Sequence, residues 1–182
     1  MATAYEVANY LVYLMNGVCD DLSNMKLNKL LYYAQGHYLQ KTGRVLFPDK
    51  IEAWDHGPIV DDVYQHYKNY GDAPIKTWDS SLIDRISEEE QDCLMDIART
   101  YSRFTASALR NMTHKPNGPW DKVYEHGKHH IEIPVSLIKE YFDNKVAPIK
   151  PIELDLSSDS FIGYRDSDGY LVLPGDWDDE TV

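Results

Sequence analysis

Basic residues are scarce in this sequence. Its 182 residues include 18 lysines and arginines against 30 aspartates and glutamates, which gives a formal net charge of −12. A protein that binds the nucleic acid backbone needs positive charge to displace counterions, and anionic membrane surfaces attract the same charge. The composition therefore argues against direct binding to nucleic acid or to membranes. An acidic chain can still mimic DNA, so nucleic-acid-binding proteins stay open as partners.

Cysteines and long apolar segments are also few. Cys19 and Cys93 form neither a CxxC pair nor a zinc pattern, so we expect two reduced thiols in a reducing compartment. The N-terminal segment is moderately apolar, but Glu6, Asn9 and Asn16 interrupt it. It lacks the basic start of a signal peptide and the length of a membrane span. We therefore expect a cytoplasmic protein.

Enzyme and metal signatures are missing as well. The sequence has no Walker A loop, no G-x-G-x-x-G, no G-x-S-x-G and no H-E-x-x-H. His126, His129 and His130 cluster, but Gly127 interrupts a helix there and no familiar ligand spacing surrounds them. The segment 166–169 resembles the centre of a calcium loop, yet a glycine stands where that loop needs a bidentate glutamate. We predict no metal site and no cofactor.

Helical patterns fill most of residues 1–144. Capping boxes at Thr3 and Ser87 predict the start of two helices, and apolar residues follow each box at helical spacing. A further helix is predicted from Ser23 to Gly43, with one apolar stripe and polar residues on its other faces. The stripe contains Leu27, Leu30, Leu31, Ala34 and Tyr38, and the polar residues are Lys26, Asn28, Lys29, Gln35 and Gln40. We predict a mainly α protein, with a compact helical domain of about six helices and a small β element.

The β element is predicted at residues 51–54, where apolar and polar residues alternate. Pro58 comes directly after Gly57 and is predicted to occupy the first turn of the next helix, where a missing N–H costs nothing. That helix would end at Gly71.

An acidic extension follows, over residues 145–182. Nine acidic residues and one basic residue lie in 153–182, so this segment carries most of the excess negative charge. The stretch FIGYRDSDGYLVLP (161–174) contains two strand-like runs around an Asp-Gly turn, which predicts a hairpin. We expect a hairpin-like C-terminal extension that offers a second contact to a basic partner.

Two histidines stand beside proline-containing loops, each with a tryptophan nearby. Catalysis by His56 or His114 would need a nucleophile or a second titrating group within hydrogen-bond reach. Asp55 could orient His56, but no nucleophile can be named. We favour the interpretation that both histidines donate to loop carbonyls and hold together a joint between a strand and a helix. A histidine-dependent enzyme stays as an alternative.

Three motifs follow one another along the chain. They are MKLNKLLYYAQGHYLQKTGRVLF (25–47), IEAWDHGPIVDDVYQHYKNYG (51–71) and TASALRNMTHKPNGPWDKV (105–123). With them, residues 4–143 resemble the Panacea domain of the SocA-like antitoxin family, which is common in bacterial and prophage genomes. The resemblance implies a mostly helical fold with a small β element, and a non-enzymatic antitoxin that neutralises a cognate toxin by direct binding. It also implies an alternative, a proteolytic adaptor that delivers a toxin or other client to a Clp-type protease.

Rigid aromatic residues are favoured anchors of protein interfaces. We predict that the toxin contacts the strand–helix joint and the neighbouring face of the second helix. The candidate partner-binding residues are Tyr32, Gln35, Tyr38, Trp54, Asp55, His56, Gly57, Pro58 and Tyr64. Core packing is an equal alternative for Tyr32 and Tyr38. A structural role is assigned to the hallmark residues of the third motif, Thr113, His114, Pro119 and Trp120.

Overall fold

The computed structural model describes residues 1–128 and 130–150, together with the backbone of two short strands at 164–165 and 171–172. The chain divides into two units, Met1–Ile149 and Lys150–Val182. The α-helices are α1 (Ala4–Met15), α2 (Asn24–Thr42), α3 (Asp61–Tyr67), α4 (Glu88–Tyr101), α5 (Ala106–Thr113), α6 (Pro119–Val123) and α7 (Val135–Lys145). The strands are β1 (Glu52–Trp54), β2 (Gly57–Ile59), β3 (Tyr164–Arg165) and β4 (Leu171–Val172). Two 3-10 segments lie at Lys68–Tyr70 and Ser80–Arg85.

The predicted mainly helical fold with a small β element is confirmed. Both capping boxes form. The side chains of Thr3 and Ser87 each accept from the backbone N–H three residues on, and the glutamate at that position accepts from the backbone N–H of the cap residue. Ser23 caps α2 at its start, and Gly43 ends it in the left-handed conformation with φ of +73°. The described part of the chain holds seven α-helices rather than about six, since the short α6 at Trp120 completes a full helical turn.

The prediction that Pro58 opens the third helix is wrong. Pro58 lies in β2, paired with Ala53 of β1 in an antiparallel hairpin, and α3 begins at Asp61. The amide of Ala53 donates to the carbonyl of Ile131 at 2.8 Å, away from β2. The Ala53–Pro58 pair is therefore one in which the two strands exchange no hydrogen bond. A proline is tolerated there because its missing N–H would point away from the partner strand.

Helix α2 is the centre of the first unit. It packs against α1, α3, α4, α5, α7 and β2. The predicted apolar stripe is buried, but so are four of the five polar residues that the pattern placed on other faces, Lys26, Asn28, Lys29 and Gln35. When a helix is buried on every side, the spacing of its apolar residues does not show which of its polar residues are also buried.

Internal partners account for these buried polar side chains. The carbonyl oxygen of Gln35 accepts from the amides of Leu46 and Phe47, at 2.8 and 3.3 Å, and its nitrogen donates to the Phe47 carbonyl. Gln35 thus fixes the loop that follows α2. Lys26 is paired with the Asp21 carboxylate at 2.5 Å and also donates to the carbonyl of Ser102. Each group recovers on folding the hydrogen bonds that it gave up to water.

Helices α2 and α7 approach each other closely at Gly36 of α2. The ring of Phe142, from α7, lies directly over this glycine, and a Cβ atom at Gly36 would overlap three atoms of that ring. Phe142 is completely buried, and the rings of Tyr32, Tyr33 and His37 surround it. The absence of a side chain at position 36 therefore lets α7 cover α2.

In the second unit, β3 pairs with β4 in the antiparallel sense, with Tyr164 opposite Val172 and Arg165 opposite Leu171. The Asp-Gly turn and the calcium-loop resemblance considered at 166–169 lie outside the described residues, as does His129. None of the helices that the structure describes has both the length and the apolar character needed to cross a membrane.

Candidate functional site

The hairpin of β1 and β2 carries the candidate residues of the second motif. Trp54 pairs with Gly57, so Asp55 and His56 form its tip, and both are exposed. Gly57 has φ of +98°, a left-handed conformation that the reversal of the chain requires and that side chains disfavour. The tip is therefore a tight turn in which only two residues face outward.

The third motif packs against the underside of this tip. The indole N–H of Trp120 donates to the Trp54 carbonyl at 2.8 Å. One ring nitrogen of His114 lies 2.7 Å from the Arg110 carbonyl and the other lies 3.3 Å from the Asp55 carbonyl. The rings of His114 and Trp120 are 3.7 Å apart between centroids. The Trp54 carbonyl is thus held by α6, and His114 lies between the carbonyls of Arg110 and Asp55, of which a neutral ring donates to one.

These contacts favour the structural interpretation of His114. Burial lowers the pKa of His114, while its contacts with the carbonyls of Arg110 and Asp55 oppose that effect. Thr113 donates to the Arg110 carbonyl at 2.8 Å, and Pro119 occupies the first turn of α6. The four hallmark residues are therefore parts of one support beneath the tip.

His56 is placed differently from His114. Its side chain is exposed and forms no hydrogen bond with any residue that the structure describes, so it does not hold the joint together. Asp55 does not orient it, because the Asp55 carboxylate accepts a hydrogen bond from the Tyr124 hydroxyl at 2.8 Å. A catalytic Asp–His pair is thus not assembled, and His56 is free to contact a partner.

A cavity of about 380 Å³ opens beside the tip, between α2, the hairpin and α3. Four of the candidate residues line it, namely Trp54, Asp55, His56 and Tyr64. The Trp54 and Tyr64 rings are 5.1 Å apart and form an aromatic wall. The fold thus brings together residues that stand ten positions apart in sequence.

The floor of the cavity contains a buried lysine that sequence reasoning did not assign to the site. Lys29 of α2 is completely buried, and its ammonium group donates to the Pro58 carbonyl at 3.0 Å. It forms no ion pair with a carboxylate in the described ranges. Burial, with a smaller effect from Arg110, lowers the pKa of Lys29 to about 7. In the sequence Lys29 is marked only as a basic residue on the polar side of a predicted helix, and the structure shows that this helix has no exposed face.

The candidates on α2 lie apart from this surface. Tyr32, Gln35 and Tyr38 are all buried, with exposed fractions of 3% or less. Tyr32 packs against Tyr33 and Phe142, and the Tyr38 hydroxyl donates to Glu89 at 3.1 Å. Tyr32 and Tyr38 thus lie where the core-packing alternative predicts, and Gln35 holds the loop that follows α2.

Gly57→Ala is expected to lower the free energy of unfolding by about 2 kcal/mol, because a left-handed alanine costs roughly 1 kcal/mol and tight contacts add a similar amount. A Cβ atom at Gly57 would lie 2.8 Å from the Thr113 hydroxyl and 2.9 Å from Lys29 Cε. Gly43→Ala is the matched control, since Gly43 is also left-handed but has no atom within 4 Å of a Cβ. Urea unfolding of both variants measures the difference, and equal losses would contradict the predicted support beneath the tip.

Comparison with known proteins identifies the family of this chain. The family described as "Antitoxin SocA-like, Panacea domain" matches residues 27–121, which run from α2 through the hairpin to α6. Antitoxin SocA of Caulobacter vibrioides (strain NA1000 / CB15N) is 35% identical over 130 residues, which cover 66% of this chain and 69% of the relative. No solved structure matches the chain. The chain therefore belongs to the SocA-like antitoxin family and carries its Panacea domain.

Proposed function

We propose that this protein is a cytoplasmic antitoxin that neutralises a cognate protein toxin by direct binding, without catalysis. Membership of the antitoxin family supports the class of function. The observation that carries the binding mode is the preorganised tip, in which the Trp54 carbonyl accepts from Trp120 and the Asp55 carboxylate accepts from Tyr124. A surface that is already ordered loses little entropy on association.

The toxin contact comprises His56 at the tip and the cavity with its Trp54–Tyr64 wall. Half-buried aromatic rings on rigid elements make strong interface anchors. The side chains that line the cavity include no serine, threonine or cysteine, and the amine of Lys29 is held by the Pro58 carbonyl at 3.0 Å. This surface is therefore better suited to binding a protein partner than to catalysing a reaction.

A charge-reversal variant tests this contact. His56→Glu combined with Lys68→Glu places two negative charges on opposite parts of the cavity rim, where both residues are exposed. We expect the dissociation constant for the toxin encoded beside this gene to rise about 100-fold, as when an interface anchor is lost. Isothermal titration measures the affinity, and growth of cells that express both proteins measures neutralisation.

Ser136→Glu combined with Lys145→Glu is the matched control, because it adds the same formal charge at two exposed positions outside the cavity lining. It should bind the toxin as tightly as the unchanged protein, and thermal melting should be similar for both double variants. Equal affinities for the two double variants would reject the proposed contact. Toxin half-life in cells separates occlusion, which leaves it unchanged, from delivery to a Clp-type protease, which shortens it.

A further inference from the structure

A second cavity, of about 450 Å³, lies on the other side of α3 from the first. It is lined by residues of α1, of the end of α3 with the adjoining 3-10 segment, and of the stretch 77–80. We call it the aromatic cavity, because four large aromatic side chains line it, Tyr5, Tyr67, Tyr70 and Trp78. The proposed toxin contact uses none of these four residues, although Tyr67 and Tyr70 belong to the motif at 51–71.

The rings form two separate walls. Tyr5 packs near Tyr67, at 6.4 Å between ring centroids, and Tyr67 packs near Tyr70 at 6.1 Å. Trp78 is about one-third exposed and packs against Tyr13, outside the cavity lining, at 5.8 Å. Among the described ring pairs, none joins Trp78 to the three tyrosines. The space between the walls is therefore not closed by stacking within the protein.

A fixed carboxylate stands at this cavity. The buried amide of Asn9 accepts from the Asp79 backbone N–H at 2.7 Å and donates to the Asp79 carbonyl at 2.9 Å. One carboxylate oxygen of Asp79 accepts from the hydroxyl and the amide of Ser81, at 2.7 and 2.9 Å, and these bonds lower the pKa of Asp79. The other oxygen accepts no hydrogen bond from a residue that the structure describes.

The cavity lining holds one carboxylate and one histidine. It contains Asp79 and His66, whose Nε2 lies 3.3 Å from the Tyr5 hydroxyl, but no lysine or arginine. The pKa of Tyr5 is raised mainly by burial and also by Asp79, so the carboxylate acts on the ring wall. Aromatic faces attract cations, and a guanidinium group stacks on rings while it donates to a carboxylate. An anionic guest would meet Asp79 with no lysine or arginine in the lining to offset the repulsion.

We propose that the aromatic cavity binds the guanidinium group of an arginine side chain on a protein partner. The guanidinium stacks between the tyrosine wall and Trp78 and donates to the free carboxylate oxygen of Asp79. The preference for arginine follows from the cavity alone, and only the identity of the partner as the toxin rests on the proposed function. A chain of net charge −12 attracts basic partners and so supports this assignment.

A small probe tests the chemical preference with the full-length protein. N-acetyl-arginine methylamide and the neutral N-acetyl-citrulline methylamide, which has nearly the same shape, are titrated while the indole signals are followed by 15N NMR. Trp78→Phe identifies the Trp78 signal. We expect that signal to move saturably with the arginine probe and not with the citrulline probe. Equal shifts with both probes, or no saturable shift up to about 100 mM, would overturn the inference.

Two matched charge removals locate the binding. Asp79→Asn keeps an oxygen that can accept from Ser81 and should weaken arginine-probe binding about fivefold, as for an exposed charge pair. Asp72→Asn removes the same charge beside the first cavity and should change it less than about twofold. If the two variants weaken binding equally, the probe follows general charge and the assigned site is wrong.

The partner is tested separately from the cavity. Asp79→Asn should weaken toxin binding about fivefold, while size-exclusion chromatography shows the same oligomeric state before and after the change. Undiminished toxin affinity, or a dimer that Asp79→Asn dissociates, would overturn the assignment to a partner protein. If the unchanged protein binds the arginine probe but no toxin, the proposed function fails while the cavity's preference stands.

Discussion

Lys29→Met is expected to raise the free energy of unfolding by about 3 kcal/mol at pH 7. The pKa of this buried lysine is lowered from its usual 10.5 to about 7, so its burial costs about 4 kcal/mol at neutral pH. Methionine has a similar volume and carries no charge. Loss of the hydrogen bond to the Pro58 carbonyl at 3.0 Å offsets about 1 kcal/mol of the gain. Urea unfolding of both proteins measures the change.

The pH dependence of the stability provides a second test of Lys29. Between pH 7 and pH 9 the unfolded chain holds a proton on Lys29 that the folded chain releases, so the stability of the unchanged protein rises with pH. The contribution of this one group over that interval is about 2 kcal/mol. In Lys29→Met this rise should disappear. If the free energy of unfolding changed with pH in the same way for both proteins, the pKa of Lys29 would not be lowered by folding.

Lys26→Met is the matched control for the lysine prediction. Lys26 lies one turn earlier on α2 and is equally buried, but it is paired with Asp21 and donates to the Ser102 carbonyl. Its replacement removes an ion pair and leaves the carbonyl without its donor, so we expect a loss of about 2 kcal/mol. Opposite signs for two buried lysines on one helix would show that the missing carboxylate partner decides the outcome.

Gly36→Ala is expected to lower the free energy of unfolding by about 3 kcal/mol, although alanine is the better helix former by about 1 kcal/mol. The new methyl group would overlap the ring of Phe142, which is completely buried and enclosed by other rings. The ring cannot move aside without displacing Tyr32, Tyr33 or His37. Thermal and urea unfolding measure the loss.

A double-mutant cycle tests the cause of that loss. Phe142→Leu alone should be destabilising because it leaves space over Gly36, and the added methyl group should partly fill that space. The combined variant should therefore be more stable than the sum of the two single losses by at least about 1 kcal/mol. Additive losses would mean that the glycine acts on the helix backbone and not on the contact with α7.

The helices could be read from the sequence because their signals are local. The capping boxes at Thr3 and Ser87 and the left-handed end at Gly43 depend on neighbours a few residues away, and all three form. Pro58 was misassigned because its place in β2 depends on the reversal at Gly57 and on the Ile131 carbonyl, which binds the other edge of β1. Such long-range partners leave no periodic signal.

The candidate site was predictable only in its motif residues. Trp54, His56 and Tyr64 were marked by the resemblance, and the structure places them at one cavity. The support from Trp120 and Tyr124 crosses more than sixty residues of sequence, so spacing could not indicate it. The sequence does not decide whether Tyr32 and Tyr38 lie on the surface or in the core. Helix α2 is buried on every side, so no exposed polar face marks which of its residues point outward.

The enclosure of α2 has a consequence for synthesis on the ribosome. About 100 residues separate the end of α2 from the end of α7, its last cover, which is roughly 5 to 20 seconds of translation. During that interval the apolar side of α2 facing α7 is bare and open to chaperones and proteases. A polypeptide truncated before Val135 lacks α7 and leaves this side of α2 uncovered. The protein can therefore fold fully only after the ribosome has translated α7.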